Sequence, residues 1–505
     1  MRILLISPPL HGLYHAAKVI VPPLGLLYIG GKLDADGHDV DIRDMTFHEG
    51  PETYDGYDLV GITCTTPQYP LALEYARKAH EAGCLTLMGG SHVSFTTQTS
   101  VRLPYLDFVI RGEGEQAASI LAREIATHGR RFDRRRVPSL SWYDPESKRV
   151  IDNPQIPDVR SVDDLPRPGR HLLNMEPYKA TRLRGRPVTT MITSRGCPYS
   201  CTFCSVPTLY QKRKWRSREA VLAVDEIQDL EREYGFGGVL LVDDLLTTNV
   251  QRIHELCAEI IERGLHTHWW CQSRADILVR NPDLVEHMAR AGCSNVFLGL
   301  ESGNESTLKH WKKAMRLDTG ARAVELLRQH DIRALTAFII GMETETEDDL
   351  ERTIQYAKTL DAHQAQFSVL TPYPGTVDWQ RNRHRIFDDD WANYTGSKVV
   401  FHRDHVTTDV LETKLRRGYL TFYNPLRRLD RVMRNAQGLN PKDLFKVWRT
   451  LRRNGGPQNH DDPVSAMIPL APASWDEWQE SQSTQSLQVQ PAASAVPEVA
   501  VARVG

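Results

Sequence analysis

The sequence predicts an α/β protein built from two arrays of strands and helices, with three closely spaced cysteines in the second. Short apolar runs alternate with helix-length amphipathic segments before residue 140, and the alternation resumes between residues 184 and 385. Strands that alternate with helices form parallel sheets. We therefore expect a doubly wound, Rossmann-like domain and then a partial, TIM-like (β/α)6 barrel. The predicted regions are a first domain at 1–140, a linker at 141–183, the barrel at 184–385, a helical segment at 386–455 and a disordered tail at 456–505.

Five apolar runs predict the strands of the first domain, at residues 3–7, 40–44, 59–64, 85–89 and 108–111, with helices at 24–35 and 71–82. Ligands of such sheets bind at the carboxyl ends of the strands, where glycines let the backbone come close. Gly89-Gly90 follows the fourth run, and Gly112-Glu113-Gly114-Glu115 follows the fifth. Both turns are candidate ligand contacts, although a Gly-Gly pair alone also fits many tight turns.

Six further strands are predicted for the barrel, at residues 188–193, 238–242, 268–272, 295–300, 335–340 and 366–370, with helices at 220–234, 250–263, 282–291, 319–330 and 347–360. The reactive groups of such barrels lie at the carboxyl ends of the strands. Polar residues follow four of these strands, namely Asp243 and Asp244, Arg274, Glu301 and Ser302, and Gly341 to Glu343. The alternative for the aspartates is helix capping, and for Arg274 it is an ordinary ion pair at the barrel mouth.

The composition is that of a globular protein with no bias toward nucleic acid. Of 505 residues, 41% are apolar and 25% are charged, and the formal net charge is −2, which offers no global case for nucleic-acid binding. No apolar run approaches the ~20 residues of a membrane-spanning helix. Eight cysteines without a signal peptide predict a reducing, cytoplasmic location.

The segment 414–453 is strongly basic, with twelve Lys or Arg against two Asp or Glu among apolar side chains. Basic amphipathic helices can rest on anionic lipid or bind a polyanionic substrate, or they can present a solvated face. After residue 455 the chain is rich in Pro, Ser, Gln and Ala, a composition typical of disorder.

Cys197, Cys201 and Cys204 follow the first predicted barrel strand with Cys-x3-Cys-x2-Cys spacing. A structural zinc site, the alternative for this motif, needs a fourth Cys or His at short spacing, and none follows closely. A [4Fe–4S] cluster held by three thiolates has one iron without a protein ligand, where a substrate or cofactor can bind. The remaining cysteines lie singly within apolar runs and are expected to be buried: Cys64, Cys84, Cys257, Cys271 and Cys293.

The segment Arg195-Gly-Cys-Pro-Tyr-Ser-Cys-Thr-Phe-Cys-Ser205 resembles the cluster-binding motif of radical S-adenosylmethionine enzymes. The resemblance implies that the open iron binds the methionyl amino and carboxylate groups of S-adenosylmethionine, which an electron cleaves to a 5′-deoxyadenosyl radical. The residues that it implies are Phe203 and Gly341 beside adenine, Asp243 or Asp244 at the amino group, Arg274 at the carboxylate, and Glu301 with Ser302 at the ribose.

The turns of the first domain, taken in order, resemble the cobalamin-binding domain that precedes many of these enzymes, at residues 22–26, 37–40, 61–66, 89–92 and 111–115. The Asp-x-His-x-x-Gly motif that supplies a histidine to cobalt is absent, so no lower ligand is assigned. His11, His15 and His92 are each either corrin contacts or solvated side chains, and a module that holds no cofactor is the alternative. The cobalamin contacts that the resemblance implies are Thr63, Thr65, Gly89, Gly90, His92, Gly112 and Glu113.

The turn Thr371-Pro-Tyr-Pro-Gly-Thr376 also resembles this family, and its Tyr373 is either a substrate contact near the mouth or a packed aromatic. Together the resemblances, which span residues 1–434, imply a cobalamin-dependent radical S-adenosylmethionine C-methyltransferase. Its substrate would be an unactivated carbon of a natural product, lipid or tetrapyrrole intermediate.

Two other functions stay open at this stage. One is an oxidative cyclase or rearrangement enzyme with the same cofactors, and the other is a non-catalytic iron–sulfur or zinc protein. The expected partners are a small-molecule or lipid substrate and a reducing donor such as ferredoxin or flavodoxin, with peripheral membrane contact through 414–453.

Overall fold

The computed structural model describes residues 1–9, 20–48, 52–155, 162–210 and 215–424, which belong to one structural unit. His11 and His15, residues 425–453 of the basic segment and the tail at 456–505 lie outside these ranges. In the part of the chain that the structure describes, no helix is long and apolar enough to cross a membrane.

A seven-stranded sheet with the order β2-β1-β3-β4-β5-β6-β7 forms the first half of the molecule. Its strands are β1 (Arg2–Ser7), β2 (Asp39–Asp44), β3 (Leu59–Thr63), β4 (Leu85–Gly89), β5 (Phe108–Ile110), β6 (Leu140–Asp144) and β7 (Arg149–Asp152). The first five are parallel, as predicted, with Ile3 opposite both Val40 and Leu59. Because β6 and β7 add antiparallel strands at one edge, the sheet continues past residue 140 into the region predicted as a linker.

Helices cover both faces of this sheet. They are α1 (Leu24–Ala35), α2 (Tyr69–Glu81), α3 (Ser91–Ser100) and α4 (Glu115–His128). Successive side chains of a strand point to opposite faces, so Ile3 and Leu5 enter one apolar core while Leu4 and Ile6 enter the other. Burial on both faces explains why the inner strands β1, β3, β4 and β5 are largely apolar runs in the sequence.

A second sheet has the order β16-β15-β14-β13-β12-β9-β8. The remaining strands in chain order are β8 (Arg182–Leu183), β9 (Arg186–Met191), β10 (Ser194–Arg195), β11 (Arg216–Ser217), β12 (Gly238–Leu241), β13 (His268–Ser273), β14 (Cys293–Glu301), β15 (Arg333–Ile340) and β16 (Gln364–Val369). The six strands predicted for the barrel are parallel neighbours, and β8 pairs antiparallel with β9 at one edge. The strands β10 and β11 form a separate two-stranded ladder.

Helices connect the parallel strands of the second sheet and bury one large apolar core against it. Trp269 and Leu298 are fully buried in this core. The helices are α5 (Val206–Leu209), α6 (Ala220–Tyr234), α7 (Val250–Glu262), α8 (Ala275–Arg280), α9 (Pro282–Arg290), α10 (Glu305–His310), α11 (Leu317–Gln329), α12 (Glu347–Leu360), α13 (Val377–Asn382) and α14 (Thr408–Phe422).

His92 lies in the joint between the two halves. Its ring is 4.2 Å from the ring of Tyr69 and 4.9 Å from that of Trp391, which follows the second sheet. Nδ1 lies 3.1 Å from the Thr66 hydroxyl, and Nε2 is buried with no hydrogen-bond partner among the described residues. Burial lowers the pKa of His92 to about 4, so the ring is neutral in the folded protein near pH 7.

This burial makes the stability of the fold sensitive to acid. The unfolded chain takes up the His92 proton near the ordinary pKa of 6.5, whereas the folded protein resists it until about pH 4. The free energy of unfolding therefore falls as the pH drops from about 6.5 to about 4, by roughly 3 kcal/mol. His92→Phe keeps an aromatic ring but lacks this titration, so urea unfolding across this pH range should show wild type losing stability relative to the variant. Parallel pH curves for the two proteins would contradict the assignment.

Candidate active site and cofactor cavity

The three cysteines lie in the segment 195–210, which runs from β10 through α5 and which we call the cysteine loop. All three side chains are partly buried, and burial raises the pKa of each thiol, for Cys204 to about 12. Among the described residues, no three His, Cys, Asp or Glu side chains are placed to share a single metal ion. A four-iron cluster does not need that arrangement, because each thiolate can bind a different iron.

Asp243 and Asp244, at the end of β12, anchor the start of the cysteine loop. Asp243 is fully buried and accepts hydrogen bonds from the Thr193 amide (2.6 Å), the Thr193 hydroxyl (2.8 Å) and the Ser194 amide (2.5 Å). Asp244 accepts one from the Gly196 amide at 3.0 Å. Burial raises the pKa of Asp243 to about 6. The aspartates therefore accept hydrogen bonds from backbone amides at the start of the cysteine loop. The roles that the sequence predicts for them are a helix cap or an S-adenosylmethionine contact.

Arg274 follows β13 and is buried beside the cysteine loop. Its guanidinium donates to Asp276 (2.9 Å) and to the Ala314 carbonyl (3.2 Å), and it lies 3.8 Å from the centre of the Tyr199 ring, within the loop itself. The ion pair is the alternative that the sequence left open for Arg274. The Tyr199 ring adds a contact between Arg274 and the cysteine loop itself.

Glu301 and Lys313 form a buried ion pair near Cys201, with Lys313 Nζ 2.8 Å from Glu301 Oε1. Glu301 has a left-handed φ of 67°, at a register shift between β14 and β15. A Cβ on Gly299 would lie 2.3 Å from Glu301 Oε1, so a larger residue there would displace this carboxylate from Lys313. Burial alone would lower the pKa of Lys313, but the charge of Glu301 raises it. Sequence reasoning missed Lys313, since nothing in its local pattern shows that it returns to the strand end.

Ser302 and Gly341 belong to the wall of the second sheet. The Ser302 hydroxyl is buried, lies 3.2 Å from the Thr353 hydroxyl and accepts the Asn304 amide at 3.1 Å. Gly341, with a φ of 83°, donates its amide to a Glu345 carboxylate oxygen at 2.9 Å. Both residues are thus committed to contacts within the protein.

Phe203 and Tyr373 join one aromatic cluster. The Phe203 ring lies 5.3 Å from that of Trp311, edge to face. The Tyr373 hydroxyl donates to the Tyr394 carbonyl at 3.0 Å, which makes it a packed turn aromatic in this structure. The same cluster includes Trp391, which contacts His92 of the first half.

A cavity of about 220 Å3 opens between the first sheet and its helices. Its lining is largely apolar and includes Ile3, Leu5, Leu26, Leu59 and Leu87. Of the predicted cobalamin contacts, Thr63, Gly89, Gly90, Gly112 and Glu113 line it. Thr65 and His92 are not among the lining residues.

Two of these residues test whether the cavity fits a bulky cofactor. A Cβ on Gly89 would meet no atom closer than 4.0 Å, so the protein itself leaves this space open. Gly90, with a φ of 103°, could not carry a Cβ, which would lie 2.6 Å from the Cys64 carbonyl oxygen. An apolar slot with a glycine rim suits the nucleotide tail of a corrinoid.

The cysteine loop closes this cavity from the second half of the molecule. Arg195, just before the first cysteine, and Leu209 and Tyr210, just after the third, all line it. The Glu113 carboxylate pairs with Arg195 (3.1 Å) and with Arg216 (2.7 Å). Glu113 thus links the two halves, in addition to lining the predicted cofactor site.

Comparison with known proteins agrees with this arrangement. The models of the Radical SAM superfamily and of the B12 binding domain match residues 191–357 and 10–122. The chain is 34% identical over 439 residues to an uncharacterized methyltransferase from Pyrococcus horikoshii, covering 84% of this chain and 92% of the relative. It is 29% identical over 440 residues to the anaerobic magnesium-protoporphyrin IX monomethyl ester cyclase of Cereibacter sphaeroides, covering 84% of this chain and 70% of that enzyme.

Solved structures show the same fold. The radical S-adenosylmethionine methyltransferase TsrM from Kitasatospora setae superposes with a TM-score of 0.63 at 21% identity, covering 76% of each chain. The two domain matches, in this order along the chain, and the relative from Pyrococcus horikoshii together establish the family. The chain belongs to the cobalamin-dependent radical S-adenosylmethionine enzymes, whose cofactors are a [4Fe–4S] cluster, S-adenosylmethionine and cobalamin.

Proposed function

We propose that this protein is a C-methyltransferase that acts on an unactivated carbon of a small biosynthetic molecule, of the natural-product, lipid or tetrapyrrole type. The observation that carries the proposal is that the cysteine loop forms one wall of the cavity in the first sheet. Two cofactor sites that share a wall can serve one substrate, because reacting groups held in place lower the barrier by several kcal/mol.

In this proposal the three cysteines, Cys197, Cys201 and Cys204, hold the cluster, and the cavity holds the corrinoid tail. When bound, the cluster supplies the electron that cleaves S-adenosylmethionine, and cobalamin carries the methyl group. A donor such as ferredoxin or flavodoxin would supply the electrons.

The chain's own polar groups position these parts. Asp243 and Asp244 fix the entry of the cysteine loop through its backbone amides. Arg274 and Lys313 bring positive charge to Cys201, which favours thiolate ligands and an anionic methionyl carboxylate nearby. Glu301 balances Lys313, so that the charges remain paired inside the protein.

An oxidative cyclisation without methyl transfer is the second candidate, because a relative that matches 84% of this chain is a cyclase. The test uses S-adenosylmethionine labelled in its methyl group, cobalamin and dithionite, under anaerobic conditions. The substrate source is the small-molecule extract of source cells that lack the gene for this protein. We expect a product that is heavier by one labelled methyl group. A new product without the label would favour the cyclase.

Replacement of a cluster ligand should abolish the first step. We expect Cys201→Ala to retain little iron after anaerobic reconstitution and to form no 5′-deoxyadenosine. Cys257→Ala, which changes a fully buried core cysteine, should keep both and is the matched control. Iron and sulfide content and chromatography of the nucleosides measure the result. Unchanged iron content in Cys201→Ala would contradict the assigned ligand.

A side chain at Gly89 should block the cavity. Gly89→Leu directs a branched side chain into open space and should lower the affinity for cobalamin by at least about tenfold, the equivalent of ~1.4 kcal/mol. Gly89→Ala adds a single carbon and should retain most of the binding. Absorbance spectra after cobalamin loading measure both, with the melting temperature as the control for folding. Equal cobalamin content in the leucine variant would place the cofactor elsewhere.

A further inference from the structure

The β10–β11 ladder brings together the chain just before and just after the cysteine loop, and we call this ladder the neck. Two arginines face each other across it. Arg195 on β10 pairs with Arg216 on β11. Both guanidiniums bind the Glu113 carboxylate, Arg195 at 3.1 Å and Arg216 through two hydrogen bonds of 2.7 and 3.0 Å. Arg195 also pairs with Glu115 at 2.6 Å. The neck is therefore held by two carboxylates that belong to the other half of the molecule.

These charges are buried and depend on one another. The side chains of Arg195 and Arg216 are 7% and 8% exposed. Like charges opposite one another in a ladder repel, and a buried charge without a partner costs several kcal/mol. Although burial opposes it, the two arginines hold the pKa of Glu113 below its usual value. Loss of Glu113 would thus remove the carboxylate that both arginines share and weaken the closed neck.

Glu113 stays in place through a turn that also forms the rim of the cavity. Gly112, Glu113 and Glu115 all line the cavity. Gly112 has a left-handed φ of 74° and donates its amide to the Ser94 hydroxyl at 3.1 Å. A molecule in the cavity would contact this turn directly, so its binding would order the residues that clamp the neck.

The other end of the cysteine loop meets the same cavity. Leu209 is the last residue of the short helix α5, which follows the third cysteine, and Tyr210 comes next. Both line the cavity from the second half. Burial raises the pKa of Tyr210 well above its usual value, so the ring is neutral there. Both ends of the loop are therefore walls of the cavity, and its middle carries the three cysteines.

We propose that Glu113, Arg195 and Arg216 form a positioning cluster that couples the two cofactor sites, so that cobalamin in the cavity and the iron–sulfur cluster on the loop each strengthen the binding of the other. Whichever cofactor binds first orders the shared walls, and the second then binds at a lower entropic cost. By linkage the effect is equal in both directions. The inference rests on the proposed function only for the identity of the two sites.

The first measurement needs no variant. Cobalamin is titrated into the full chain before and after anaerobic reconstitution of the cluster, and absorbance gives its dissociation constant in each case. We expect cobalamin to bind at least about fivefold more tightly to the reconstituted protein, at the lower end of common couplings. The rate at which a chelator removes iron should fall when cobalamin is bound. A ratio of one in the first titration would overturn the inference.

Two matched variants then test whether Glu113 carries the coupling between the two sites. Glu113→Gln removes the charge that holds the neck. Glu351→Gln is the control, because Glu351 is also a carboxylate shared by two basic side chains, Lys414 and Arg417, but it joins α12 to α14 and does not line the cavity. We expect the affinity ratio to approach one in Glu113→Gln and to keep its wild-type value in Glu351→Gln. An unchanged ratio in Glu113→Gln would show that these residues do not carry the coupling.

The outcomes separate this inference from the proposed function. Cobalamin that binds equally with and without the cluster overturns the coupling and leaves the methyltransferase intact. Coupled binding without transfer of a labelled methyl group supports the coupling and overturns the methyltransferase. A wild-type chain that binds no cobalamin at all overturns both.

Discussion

A buried carboxylate shared between two arginines fixes how the halves of this protein meet. Glu113 comes from the turn after β5, and Arg195 and Arg216 come from the ladder at the neck of the cysteine loop. None of these charges is stable inside the protein without its partner. The cavity and the loop can therefore separate only if several charges lose their partners at once. The cavity and the cysteine loop are therefore held against each other by this constraint.

The entry of the loop is determined by the register of the second sheet. Met191 and Leu241 are opposite one another on β9 and β12. Two residues further along, Thr193 therefore faces Asp243, at the point where both strands leave the sheet. Backbone amides that leave a ladder need new acceptors, and Asp243 accepts from the amides of Thr193 and Ser194. A carboxylate at this strand end thus serves the scaffold of the loop.

The parallel strands were predictable and the roles of the polar residues were not, for one physical reason. Parallel strands buried on both faces leave apolar runs, whereas the edge strand β2 alternates buried and less buried residues and the antiparallel β6 and β7 were not predicted. The Ser- and Thr-rich helix Ser91–Ser100 lacks an apolar stripe, so its sequence gave no helical signal. The partners of a charged side chain depend on tertiary structure: Glu113 and Arg216 are 103 positions apart, and Glu301 meets Lys313 only because the chain turns back. The cysteines were found because their ligand spacing is local.

The pairing of Glu301 with Lys313 shows how the strand end is used near the cysteines. A left-handed φ at a glutamate is costly and persists only where the surroundings enforce it. Here the register shift between β14 and β15 aims the carboxylate at Lys313, and Gly299 leaves room for it. Burial raises the pKa of Cys201, while the positive charges of Lys313 and Arg274 act to lower it. A loop that presents thiolates in a buried place needs such cations, and the ion pair with Glu301 holds Lys313 there.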